Sequence, residues 1–170
     1  MTLFDKLSKQ ELKELLIKCW MTHDGMWFYH CFLEFGIDTA NKLNKEAIKS
    51  LSAIEVQRIK KARGMEKERI ETFEQLKKMV NAVFSVVKGD FMDFEYSFLS
   101  ENCLHWEQKK CFAHEGMKRI GVSEKYECGL LYRVQCWLDI LGVKYSINPQ
   151  TDTCILNSCE KCSGDFVFYF

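Results

Sequence analysis

Phe91-Met92-Asp93-Phe94-Glu95-Tyr96-Ser97-Phe98 decides the reading of the fold. Met92, Phe94, Tyr96 and Phe98 alternate with Phe91, Asp93, Glu95 and Ser97, a period of two residues that predicts a strand with one wetter face. Upstream the period is that of a helix. Ser8 and Glu11 form a capping-box signature, and Leu12, Leu15, Leu16 and Cys19 recur at helical spacing behind it. This helix is expected to run through Trp20, Trp27 and Phe28 to a stop at Phe35-Gly36, with Gly25 as a point where it could kink. Asp38 then caps a second helical stretch with the apolar stripe Ala40, Leu43, Ala47, Ile48, Leu51, Ile54 and Ile59, which ends on Lys60-Lys61-Ala62-Arg63-Gly64. A third, over 67–87, carries Ile70, Phe73, Leu76, Val80, Val83, Phe84 and Val87.

Downstream, 103–106 is the natural hairpin partner of the opening strand. Residues 112–120 and 127–141 read as helices, and 143–147, 153–156 and 166–170 as closing strands. The expectation is an α+β chain in one domain, 1–170: a helical half, 1–90, then a cysteine-rich half, 91–170, in which a small antiparallel sheet packs with one or two helices. The single proline, Pro149, sits in the turn Asn148-Pro149-Gln150.

At 170 residues, 47% of them hydrophobic, the chain has the apolar material for a core and is neither disordered nor fibrous. Its 24 basic and 24 acidic side chains cancel, so it lacks the positive field that backbone-directed nucleic-acid binding needs. The two halves differ mildly, with 16 basic against 13 acidic residues up to Asp90 and 8 against 11 beyond it. The densest apolar stretch, 26–33, contains His30 and is far shorter than the ~20 residues of a membrane span. The opening Met1-Thr2-Leu3-Phe4-Asp5-Lys6 is not laid out as a secretory signal, which places the chain in the cytoplasm, with no nucleic-acid or membrane partner expected and homo-oligomerisation left open. Phosphate-cradling glycine loops, metalloprotease helices and nucleophile elbows have no counterpart in the sequence.

Nine cysteines in a reducing compartment are free thiols, available to metals or chemistry. Seven fall in the second half, and the tail Cys154-x4-Cys159-x2-Cys162 has the spacing of ligands bending over a tetrahedral ion. Cys128, or alternatively Cys111, would complete the set. Zinc suits thiolate coordination, and an iron–sulfur cluster satisfies the same ligands. The plainer reading is that such thiols, like Cys19, Cys31 and Cys136, pack as small hydrophobes. A thioredoxin-type redox role for Cys159 and Cys162 is disfavoured because the pair precedes a strand rather than opening a helix.

A second constellation lies on the first helix. Positions 20, 23, 27 and 30 share one face, so Trp20, His23, Trp27 and His30 line a stripe on which a small organic ligand could rest, with His23 and Asp24 as proton-transfer groups. The same stripe reads equally as core. Cys103 and His105 point to one side of their strand and could chelate, although two ligands define little, and His114 reads as a solvated residue of a short helix.

The segment His23-Asp24-Gly25-Met26-Trp27, the turn Glu34-Phe35-Gly36-Ile37, the run Ile54-Glu55-Val56-Gln57-Arg58-Ile59-Lys60-Lys61-Ala62-Arg63-Gly64, and the later Cys111, Cys128 and aromatic tail Phe166-Val167-Phe168-Tyr169-Phe170 together resemble an uncharacterised family of prokaryotic proteins along nearly the full chain. That likeness implies no reaction. More distantly, the thiol-rich half resembles the L-2-amino-thiazoline-4-carboxylic acid hydrolase family and the 4-vinyl-reductase-type ligand-binding domain. The latter likeness implies a cysteine-rich zinc site beside a pocket for small molecules; the former implies a metal-dependent hydrolase of a cyclic amide-like or thiazoline substrate. Where relatives place a cysteine next to an aromatic in the tail, this chain has Asp165-Phe166.

Overall fold

The computed structural model describes residues 2–150 and 152–170. A single turn, α1 (Leu3–Lys6), leads into α2 (Lys9–Ala62). The Ser8 hydroxyl accepts from the Glu11 amide at 3.2 Å and the Glu11 carboxylate accepts from the Ser8 amide at 2.8 Å, the reciprocal cap expected from the sequence. α2 is two helices in tandem, because Gly36 sits at φ 79° and ψ 171°, a conformation nearly reserved for glycine. The first arm spans 9–35 and the second 37–62. Gly25 does not interrupt the first arm, so Trp20, His23, Trp27 and His30 do share a face.

Helix α3 (Phe73–Val87) begins later than the periodicity from residue 67 suggests. The Gln75 side-chain oxygen accepts from the amides of Glu71 and Thr72, and the Thr72 hydroxyl accepts from the Gln75 amide, which fixes the start at Phe73. The expected strand onset is also displaced. Asp90–Met92 form a 3-10 turn, pinned to the first arm where the Glu14 carboxylate accepts from the Asp90 amide at 2.8 Å, and Asp93 in left-handed backbone (φ 42°) turns the chain into β1 (Phe94–Ser100).

The sheet is antiparallel throughout, in the order β1-β2-β4-β3, with β2 (Cys103–Gln108), β3 (Lys144–Asn148) and β4 (Cys162–Tyr169). Between β2 and β3 the chain forms α4 (Phe112–Arg119) and α5 (Gly129–Ile140). Residues 153–156 are not a strand. Thr153 makes one isolated bridge to Glu127 and Ile155–Asn157 is a 3-10 turn, whereas β4 starts at Cys162, four residues before the aromatic run. Gly164 permits that early start: a Cβ there would collide with the Trp106 ring and the Asn148 carbonyl.

The inner face of the sheet, with Leu104, Trp106, Cys162, Phe166 and Phe168, packs against Leu76, Met79 and Val83 of α3, Leu131, Trp137 and Leu138 of α5, and Val56 and Ile59 of the second arm. A smaller cluster of Phe28, Cys31, Ala40, Met117, Val122, Tyr126 and Cys154 ties both sides of the Gly36 break to α4 and the segment before α5. The architecture is α+β, helical first and then a small antiparallel sheet with further helices. Among the described residues no helix is long and apolar enough to cross a membrane.

Candidate functional site

An apolar cavity of about 110 Å³ lies between the inner face of the sheet, α3 and α5. Phe84, Phe94, Trp106, Trp137, Phe166 and Phe168 supply aromatic walls, and four cysteines line it as well: Cys111, Cys128, Cys154 and Cys162. These four come from separate segments of the chain. Cys111 stands immediately before α4, Cys128 immediately before α5, Cys154 before the 3-10 turn, and Cys162 is the first residue of β4.

Burial raises the pKa of each of these thiols, since a thiolate in this setting loses its hydration. Cys128 is pushed up to about 12 and Cys162 to about 11. Mutual repulsion adds to the effect: Cys128 feels Cys111, Cys162 and Cys154, so the sulfurs form one electrostatic group. Opposing this, N–H dipoles face the sulfurs. The amides of Ala113 and His114 act on Cys111, that of Leu131 on Cys128, and those of Leu156 and Asn157 on Cys154. The Trp106 indole N–H acts likewise on Cys162. It is fully buried and has no hydrogen-bond partner of good geometry, because its alignment with the sulfur falls short of a bond. Every one of the four sulfurs thus faces a donor that would favour its anionic form, while the surroundings hold it neutral.

Position explains why Cys162 rather than Cys159 joins the group. Cys162 points inward on β4, while Cys159 is exposed on the turn before it, beside the Ser158 hydroxyl. His114, expected in solvent, is half-buried with Nδ1 3.4 Å from the Cys154 sulfur. All nine cysteines are free. Among the described residues no three His, Cys, Asp or Glu side chains are spaced as a ready-made metal cage.

Trp27, His23 and His30 lie exposed on the first arm, outside the cavity, to which that arm contributes Met21. Trp20 turns inward instead, and its ring stacks on the Arg133 guanidinium at 4.8 Å. Partial loss of hydration raises the Asp24 carboxyl's pKa, opposed by the charge of Arg133 and, more weakly, of His23. On the outer face of the sheet, Cys103 and His105 do share a side, where Asp165 joins them across the β2–β4 pairing: His105 Nδ1 lies 2.8 Å from its carboxylate.

A profile described as a family of unknown function, DUF6125, matches residues 5–135. The chain belongs to DUF6125. No curated protein and no solved structure matches it. The DUF6125 match takes in α2 through the first half of α5, including Cys111 and Cys128, and ends before Cys154 and Cys162.

Proposed function

We propose that this DUF6125 chain binds a small organic molecule in its apolar cavity and a thiophilic metal ion, zinc, through Cys111, Cys128, Cys154 and Cys162. One observation carries the reading: four cysteines far apart in sequence line the same cavity, each with an N–H donor directed at its sulfur. A bound cation would remove the cost of ionising thiols at that place, and the donors would then hold the thiolates in position. Cys111 takes the place that sequence spacing gives to Cys159. An iron–sulfur cluster would use the same sulfurs, and its colour separates it from zinc. Free buried thiols suit a reducing, cytoplasmic setting.

The cavity sets the ligand class. An apolar hole of about 150 Å³ is known to take up benzene, so about 110 Å³ suits a single ring or a short branched chain. Charge is poorly accommodated, because the lining cation Arg133 is already engaged by Glu55. The likeness of the second half to 4-vinyl-reductase-type domains, with a zinc site beside a small-molecule pocket, supports this reading.

His114 beside Cys154 favours a second reading, a zinc hydrolase acting on a cyclic amide-like or thiazoline substrate. Three thiolates would hold the ion, leaving an open position for water, and His114 would take the proton.

The test is reconstitution of metal-free protein with Co²⁺ under anaerobic conditions, read by thiolate-to-metal charge transfer, together with zinc content. One equivalent of metal with sulfur charge-transfer bands, lost in Cys128→Ser/Cys162→Ser and kept in Cys159→Ser, is the expected result. No uptake, or equal uptake by the double variant, overturns the metal site. Four-thiolate intensity favours a structural ion, three-thiolate intensity the hydrolase.

A further inference from the structure

The first arm of α2 has a face that its own fold leaves uncovered. Ile17, Phe28 and Cys31 turn into the protein, whereas Leu16, Cys19, His23, Met26, His30 and Leu33 lie on the opposite side. Their spacing is three, four, three, four and three residues, the a/d repeat of a two-helix seam sustained from 16 to 33 over about 25 Å of helix. The side chains here are large and bare: Leu16 is 59% exposed, Met26 52%, Trp27 63% and Leu33 58%. A continuous apolar stripe of this kind on a globular surface marks an interaction site.

From this pattern we infer that the first arm pairs with the first arm of a second copy of the chain, antiparallel, to make a dimer. The stripe fits its own copy because the same repeat is present on both helices, so two-fold symmetry sets knobs against holes without a second specificity. None of the six seam positions carries a lysine, arginine, aspartate or glutamate. The charges that flank it choose the direction: an antiparallel copy brings Lys18 towards the partner's Glu34, whereas a parallel copy would set Lys18 against lysine and Glu34 against glutamate. Antiparallel arms also oppose their helix dipoles. The area is sufficient. With Leu15, Trp27 and Phe35 flanking the six, nine side chains losing roughly 90 Å² each reach the ~800 Å² per partner of an ordinary stable interface. An anionic membrane is a poor occupant, since Lys18 is the only lysine or arginine between Leu15 and Phe35, which also include Asp24 and Glu34.

The experiment is sedimentation equilibrium of the full chain over a wide concentration range, for the native sequence and for Leu16→Glu/Met26→Glu/Leu33→Glu, with far-ultraviolet circular dichroism on both. A species of twice 20.1 kDa for the native chain and of 20.1 kDa for a triple variant of unchanged helicity is expected. A native chain that stays monomeric at every concentration overturns the inference, and so does a triple variant that still dimerises. Should the triple variant not fold, thiol labelling of Cys19 in a Cys159→Ser background decides instead. Modification should slow by about tenfold or more between dilute and concentrated native protein, following mass action; a rate independent of concentration overturns the dimer.

Discussion

Arg133 clamps Glu55 with two parallel bonds, Nε to Oε2 at 3.1 Å and Nη2 to Oε1 at 2.5 Å, and the Trp137 indole N–H donates to the same carboxylate at 2.8 Å. The guanidinium lies over the rings of Trp20 and Trp137. One α5 side chain therefore joins both arms of α2 across the Gly36 break. The two side chains are only 11% and 10% exposed, so removal of either partner strands a buried charge. Glu55→Ala should cost about 3–5 kcal/mol in urea unfolding, and Glu55→Leu combined with Arg133→Met distinctly less than the two single changes added together. Strict additivity would mean that the pair does not act as a unit.

The raised thiol pKa values give the metal-free protein a defined alkaline weakness. Cys128 rises from an ordinary 9.0 to about 12 on folding, so between these limits the unfolded chain has lost a proton that the native chain keeps. Stability from this group is complete below pH 9 and falls as pH rises, by up to about 1.4 kcal/mol per pH unit. The urea midpoint of zinc-free protein should therefore drop between pH 9 and 11, and Cys128→Ala should flatten the slope. With zinc the sign reverses: protons compete with the ion for the thiolates, so affinity grows with pH. A midpoint that does not move with pH in the zinc-free form would count against the thiol assignment.

Two glycines of α2 should respond oppositely to alanine. At Gly36 a Cβ meets nothing within 4 Å, so the cost is purely conformational, and φ 79° with ψ 171° makes Gly36→Ala destabilising by about 1–3 kcal/mol. Gly25 is helical and equally uncrowded, so Gly25→Ala should stabilise by about 0.5–1 kcal/mol. Chemical unfolding of both variants gives the signs directly.

The helix caps at Ser8, the stop at Gly36 and the period change before Phe94 were readable because each depends on neighbours a few residues away. So was the inward set Phe94, Tyr96 and Phe98 on β1. What sequence could not supply was long-range: whether Cys159 or Cys162 turns inward depends on the β4 register, which Gly164 beneath Trp106 fixes from another strand. The stripe Trp20, His23, Trp27 and His30 was legible as a face, but not what covers it, because a helical period looks alike on a core, a pocket and a seam. His114 could have been found by one signal, its place three residues after Cys111 on the same short helix.

Trp106→Phe separates the two states of the site most sharply. In the zinc-free protein the indole N–H is buried without a true acceptor, a loss of about 1–3 kcal/mol that phenylalanine removes while giving up some packing, so the net change should be small. When zinc holds Cys162 as a thiolate, the same N–H has an anion beside it, and losing such an outer-shell donor typically weakens metal affinity about 10–100-fold. Chelator competition should therefore show weaker zinc binding in Trp106→Phe, with the urea midpoint of the zinc-free form almost unmoved. Equal losses in both measurements would make Trp106 a packing residue only and remove the donor from the metal-binding argument.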